Sequence, residues 1–301
     1  MNVLIAGGTG FLGSALTRRL LSHGHKVSLL SRRPSTPAAV PPIYHWDPER
    51  GEFDGNALSG ADAVVNLAGE NLAGGRWTRE RKQRLVDSRV GGTRFLAQRL
   101  AERSPRPRAL VNASAVGIYG NRGEEVLTEE SPTGAGFLAD VCRAWEEAAL
   151  QARDVDVRVV VARFGIVLDS RGGALASLLP LFRSCLGGAL GSGRQWMSWI
   201  SLPDLLSILE MALEREDASG AWNVVSPAPV RNRDFARTLG RILRRPAILP
   251  APAFALRIVL GEMADEALLS SACVAPKRLA SLGYRFAFED LDRALRNALR
   301  A

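Results

Sequence analysis

Three glycines at three-residue spacing, Gly7, Gly10 and Gly13, stand in the run Gly7-Gly8-Thr9-Gly10-Phe11-Leu12-Gly13 near the start of the chain. Such spacing lets a backbone turn tightly, lets a pyrophosphate approach the free N–H groups of a helix N-terminus, and lets that helix pack close to a sheet. The chemistry is dinucleotide binding. NAD sites usually carry an Asp or Glu about 20 residues further on, to hold the ribose 2′-hydroxyl. Here no acidic residue occurs between Gly13 and Asp47, and Ser31, Arg32 and Arg33 stand at that place. A hydroxyl and two guanidinium groups suit a 2′-phosphate, so NADP(H) is the expected cofactor. The expected contacts are Gly7, Thr9, Gly10, Phe11, Leu12 and Gly13 with Ser31, Arg32 and Arg33.

A phosphate loop works only between a strand and a helix at the rim of a parallel sheet. Apolar runs predict strands over residues 3–6, 26–31, 43–46, 62–69, 109–114 and 157–164. Helical spacing predicts helices over 11–22, where Leu12, Leu16 and Leu20 share a face, and over 78–103, 137–147 and 203–215. Short, continuously apolar strands alternating with helices indicate an α/β fold: a Rossmann-like, doubly wound parallel sheet covered on both faces. Beyond Phe164, glycine-rich turns surround the aromatic stretch QWMSWIS, and strand AWNVVS follows the helix over 203–215. Residues 246–252 read as a linker, and Phe288, Leu291, Leu295 and Leu299 keep helical spacing. A Rossmann domain over 1–240 and a small, mainly helical C-terminal domain over 250–301 are expected.

The bulk properties narrow the function further. With 47% hydrophobic and 23% charged residues, the 301-residue chain has a globular composition. No apolar run approaches the roughly 18 residues that span a bilayer, and the start MNVLIAGG lacks a basic signal-peptide region. A cytoplasmic protein without a membrane partner is expected. Cys142, Cys185 and Cys273 lie far apart, and His23, His25 and His45 all fall early, so no metal site is expected. The net charge of +8 and the run RWTRERKQR invite a nucleic-acid reading. Of 39 basic residues only three are lysine, and the arginines are dispersed along the whole chain, so no nucleic-acid partner is expected.

AGGTGFLG, NLAG (Asn66, Leu67, Ala68, Gly69) and SAVGIYG together resemble the extended short-chain dehydrogenase/reductases, which include nucleotide-sugar epimerases and dehydratases. NLAGENLAGGRWTRERKQRLVDSRVGGT, FLADVCRAWEEAA, GIVLDSRGGAL, LGSGRQWMSWISLPDL and VAPKRLASLGYRF look like the divergent branch labelled "NAD-dependent epimerase/dehydratase family protein". The resemblance implies cofactor contacts at Asn66, Leu67, Ala68 and Gly69, a small C-terminal domain, and a homodimer paired through the long basic helix. It also implies a histidine where Ser201 stands. In the well-studied members a Ser or Thr, a Tyr and a Lys do the chemistry: the tyrosine moves a proton, and the lysine lowers its pKa and binds the nicotinamide ribose. The tyrosines here are Tyr44, Tyr119 and Tyr284, and none is followed four residues later by lysine. With Glu146 matched to the glutamate that follows the family's lysine, Leu138 and Cys142 occupy the tyrosine and lysine places. Ala115 stands at the hydroxyl position, with Ser114 one residue earlier.

Three readings follow. Tyr119 and Ser114, at the end of a central strand, could supply the proton of an atypical oxidoreductase or epimerase. Alternatively, the nicotinamide performs the hydride step while substrate or water handles its own proton, in a pocket lined by Asn71, Arg163, Gln195, Trp196 and Trp199 that takes a planar or sugar-like ligand. The third reading is non-catalytic: an NADP(H)-binding redox sensor or scaffold. The cofactor assignment itself is testable by replacing Arg32 and Arg33 with alanine, which should weaken NADPH binding far more than NADH binding; equal loss for both would defeat it.

Overall fold

The computed structural model describes residues 1–300. Its main strands are β1 (Asn2–Ala6), β2 (Lys26–Ser31), β3 (Ile43–Asp47), β4 (Glu52–Phe53), β5 (Ala63–Asn66), β6 (Ala109–Ala115), β7 (Arg158–Phe164) and β8 (Gly220–Val224). They form one sheet in the order β8-β7-β6-β5-β1-β2-β3-β4. Every neighbouring pair is parallel except β3 and β4. The chain winds outward from β1 through β2 and β3, then returns to the other side of β1 with β5. That reversal makes the crevice outside the carboxyl ends of β1 and β5 the place where a doubly wound sheet binds ligands.

Strand alternation sends Val3 and Ile5 to one face and Leu4 and Ala6 to the other, and helices bury both. Helices Phe11–Ser22 and Leu202–Glu214 cover the first face with Leu16, Leu20, Leu205 and Leu209. Leu96 and Leu100, from helix Gly92–Ala101, pack with Leu4, Leu30, Val64 and Leu110 on the second. Each such side chain contributes roughly 1.5–3 kcal/mol when fully removed from water. This two-sided burial is why the strands read as continuous apolar runs rather than alternating ones.

Two elements differ from their sequence expectation. The strand expected over 62–69 stops at Asn66, because the Asn66 side chain accepts from Ala68 N at 3.2 Å and turns the chain. The helix expected over 78–103 begins with Thr78 accepting from Arg81 N and ends at Ala101. A wide π-helical turn, Asp87–Gly91, interrupts it between Arg79–Val86 and Gly92–Ala101. Among the described residues no helix is long and apolar enough to cross a membrane.

The C-terminal segment is fastened to this body at several points. Residues 246–252 form no helix or strand, although Ala251 makes an isolated bridge to Leu190. Cys273–Val274 pairs in parallel with Val126–Leu127, and Leu279 sits in the core under the sheet. Helix Leu291–Arg300 buries Leu291 and Leu295 against Phe235 and Leu239. Asp204, read from sequence as a helix N-terminal charge, does much more. Its wholly buried carboxylate accepts from Ser201 Oγ at 2.7 Å, Ala287 N at 2.7 Å, Phe288 N at 3.0 Å and the Tyr284 hydroxyl at 3.2 Å. Asp204→Ala would strand the Ala287 and Phe288 backbone donors and remove the buried carboxylate that ties them to Ser201, and should lower unfolding stability in urea by about 2–3 kcal/mol; a loss below about 1 kcal/mol would show that the carboxylate is not the clamp.

Candidate functional site

The glycine loop has the conformation that close approach demands. Gly7 has φ +76°, and a Cβ on it would lie 2.8 Å from the Leu67 backbone. On Gly13 a Cβ would meet Gly7 O at 2.2 Å, so the helix can pack this close only without a side chain there. Gly10 precedes helix Phe11–Ser22 and offers no side-chain cap, which leaves the first backbone N–H groups free for an anion. Thr9 and Gly10 are exposed, while Phe11 and Leu12 are half-buried, with the Phe11 ring against Gly172.

At the end of β2, Ser31 is buried and accepts from Arg33 N at 3.2 Å. Arg32 and Arg33 are exposed. Neither has an ion-pair partner among the described residues, so both guanidinium groups are available to a phosphate. Across the crevice, Asn66 donates to Thr93 Oγ1 at 2.8 Å and to Asn112 Oδ1 at 2.7 Å. Those bonds fix the turn through Leu67, Ala68 and Gly69 against Gly7. The glycine loop, the β2 end and this turn thus surround one switch point.

Below it lies a buried polar network that sequence reasoning recognised only in parts. Glu146, from helix Phe137–Leu150, accepts from Arg163 Nε at 2.9 Å and Nη2 at 2.8 Å, and from Ser114 Oγ at 2.6 Å. Arg163 Nη1 donates to the Tyr119 hydroxyl at 2.9 Å. That hydroxyl stands 2.7 Å from Asn223 Oδ1 and 3.0 Å from Thr128 O, two acceptors for its single proton. Burial works against the Arg163 charge, but the hydrogen bonds and charge of Glu146, helped by Tyr119, hold its pKa above the ordinary value. Burial also raises the Tyr119 pKa, with Arg163 opposing.

This geometry corrects the expectation that Tyr119 and Ser114 face a substrate. Tyr119 is 0% exposed and Ser114 2%, and each is committed to internal partners. The expected substrate pocket also comes apart. Trp199 is 0% exposed and donates through Nε1 to Ala228 O at 2.8 Å, which makes it core. Arg163 is consumed by Glu146, and the buried Gln195 donates to Leu190 O and Leu268 O. Trp196 is half-buried beside Glu124, with Arg231 stacked 3.9 Å above its ring. Asn71 is exposed and accepts from Ala73 N. Alternating aromatic and polar residues do not reveal which face is core, so the sequence could not separate Trp199 from Trp196.

Other residues went unnoticed. Glu266 accepts from Leu138 N at 3.1 Å and lies where a Cβ on Gly136 would fall, so it caps helix Phe137–Leu150 from the C-terminal segment. Trp77 packs edge-on to Phe137 at 5.3 Å, and with Arg79, Lys82, Gln83 and Val86 they line an open cleft of about 350 Å³. Arg89 sits in the π turn beneath Gly69. A cluster of His25, Glu210 and Glu214 also forms far along the chain from these groups, with Arg19 and His23 both bound to Glu210.

The model of the NAD dependent epimerase/dehydratase family matches residues 3–225. The chain belongs to that family. A second model, described as a domain of unknown function (DUF1731), matches residues 251–298. The epimerase family protein ML0860 of Mycobacterium leprae is 44% identical over 293 residues, spanning 97% of this chain and 94% of its own. The human epimerase family protein SDR39U1, solved with NADPH, superposes with a TM-score of 0.91 at 36% identity over 100% of both chains. A nucleoside-diphosphate sugar epimerase from Corynebacterium glutamicum, also 36% identical, gives 0.80 over 99% of this chain and 58% of its own.

Cys142, on helix Phe137–Leu150, is buried as a neutral thiol. Burial, with Glu146 adding and Arg89 opposing, pushes its pKa up to about 11. Iodoacetamide at pH 8 should therefore label the half-buried Cys185 well before Cys142 in the native protein. Prompt native labelling of Cys142 would contradict its burial.

Proposed function

We propose that the protein binds NADP(H) and acts as an atypical oxidoreductase or epimerase-type enzyme on a small substrate of the sugar-nucleotide kind. The observation that carries the cofactor is the pairing of an uncapped helix N-terminus at Gly10 with two unpaired guanidinium groups, Arg32 and Arg33, at the end of the adjacent strand. The NADPH in the human relative agrees with it.

The chain's own groups limit the proton chemistry. Leu138 has no proton to give, Cys142 is a buried neutral thiol, and Tyr119 and Ser114 are engaged internally. The reading that fits is hydride transfer without a side-chain acid. A bound nicotinamide would supply the hydride for an electrophilic substrate carbon, and the substrate oxygen would take its proton from water, because no side chain at the site is free to give one. The same locked groups favour a second reading, an NADP(H)-binding redox sensor or scaffold, because that role needs the phosphate loop and no proton donor.

The two readings separate in one experiment. The purified protein is incubated with NADPH deuterated at C4, on each face in turn, together with a small-metabolite extract, and products are searched by mass spectrometry. Label in a metabolite is the expected result and names the substrate; no label, with NADPH bound, would overturn net hydride transfer in favour of the sensor, the scaffold or a redox-neutral enzyme.

A further inference from the structure

Helix Ala253–Leu260 reads AFALRIVL, seven apolar residues and one arginine, and none of the eight is buried. A helix that is apolar all round is ordinarily enclosed. Here Ile248, Leu249, Phe254, Ile258 and Val259 all face water, four of them between 66% and 78% exposed. They are five of the eleven large apolar side chains exposed among the described residues, gathered within residues 248–259. Leu186, also exposed, adjoins them, because a Cβ on Gly188 would meet Leu249 O at 2.0 Å. Single exposed leucines are ordinary, but a gathered apolar patch marks a surface that binds something apolar.

The patch is held in place. Ala251 N donates to Ala189 O at 2.9 Å, and Gly191 N donates to Ala251 O at 2.8 Å. Pro252, with φ −60°, fixes the entry into the helix. At the far end, Arg76 Nη1 reaches Ile258 O at 3.5 Å, and Leu260 packs with Trp77, Phe137 and Leu138. The apolar side chains are therefore presented on a fixed backbone.

Charge decides between the surfaces that could cover them. Between Asp234 and Glu262 the chain carries Arg237, Arg241, Arg244, Arg245 and Arg257 and no acidic residue. Arg244 and Arg245, directly before the apolar run, are exposed and have no ion-pair partner among the described residues. The acids that follow the helix are already used, Glu262 by Lys82 and Asp265 by Arg257. A second copy docked symmetrically on this patch would bring the same unneutralised arginines together. An anionic lipid surface neutralises them and takes the apolar side chains into its acyl boundary.

We propose that helix Ala253–Leu260 and the loop before it seat the protein on an anionic phospholipid surface, with Phe254, Ile258 and Val259 inserted and Arg244 and Arg245 on the phosphates. The contact is peripheral, since an eight-residue helix lies along the interface and is too short to span it. The expectation of no membrane partner rests on the lack of a spanning segment, which such a contact does not need. The proposal is independent of the NADP(H) reading.

The test is co-sedimentation of the full chain with vesicles of phosphatidylcholine alone and of phosphatidylcholine with phosphatidylglycerol, at low and high salt, with light scattering of the free protein alongside. The wild-type chain should bind the anionic vesicles roughly tenfold or more tightly than the neutral ones, and less tightly at high salt. Phe254→Ser with Ile258→Ser should weaken that binding by roughly tenfold or more. Arg244→Ala with Arg245→Ala should remove most of the preference for phosphatidylglycerol. All four side chains are exposed, so both variants should melt with the wild type. No sedimentation with either vesicle overturns the proposal, and so does equal binding to both. A dimer that Phe254→Ser with Ile258→Ser dissociates, without vesicle binding by the wild type, assigns the patch to a second copy instead.

Discussion

The pairing of Glu146 with Arg163 sets the terms for everything near the ends of the central strands. Removing two charges from water costs several kcal/mol per ion, and their attraction offsets that only when the geometry is good and the remaining lone pairs are satisfied. Both conditions hold: the contact is bidentate, Ser114 gives the carboxylate another donor, and Tyr119 takes the remaining arm of the guanidinium. Helix Phe137–Leu150 is thereby pinned to β6 and β7 at one depth and rotation. That pin decides which helix residues look into the crevice, and it draws in the serine and tyrosine that would otherwise be free to act on a ligand.

A helix placed in this way turns Leu138 and Cys142 into part of an apolar wall, with Cys142 packed against Ile118 and Tyr119. An ionisable lysine at position 142 would sit beside Arg89 and repel it, so the thiol and the guanidinium are compatible where two cations would not be. Arg89 stands on the π turn of the neighbouring helix. Trp145 joins the two, stacking on Arg89 while its Nε1 donates to Thr93 Oγ1 at 2.8 Å. Thr93 in turn takes the Asn66 amide, so the turn beside the glycine loop is linked by hydrogen bonds to the helix that carries Glu146.

Much of the architecture is legible in the residues because local pattern and global fold agree. The first strand, the helix Phe11–Ser22 and the strand Lys26–Ser31 follow directly from apolar runs, helical spacing and intervening turns. The glycine loop is legible for the same reason, since its constraint lies in its own backbone. What could not be read depends on partners distant in sequence. Asp204 is 80 or more residues from Tyr284, Ala287 and Phe288, whose groups it binds, and nothing local distinguishes it from an ordinary first-turn acid. Arg89 is one arginine in a chain rich in them, and only its place in the π turn beneath Gly69 sets it apart. Trp199 and Trp196 lie in one short stretch, yet one is core and the other half-buried.

No tyrosine in the chain is followed four residues later by lysine, and helix Phe137–Leu150 instead carries Leu138 and Cys142 packed among apolar groups. A deleted catalytic pair would leave a polar cavity or unsatisfied donors where the two side chains had been, since buried polar groups that lose a partner retain their desolvation penalty. Here the place is filled by leucine and cysteine, Glu146 is fully engaged, and none of Ser114, Tyr119, Arg163 or Glu146 has a buried side-chain atom without a partner. The groups around Leu138 and Cys142 satisfy one another, so the buried network leaves no side-chain donor or acceptor there that lacks a partner.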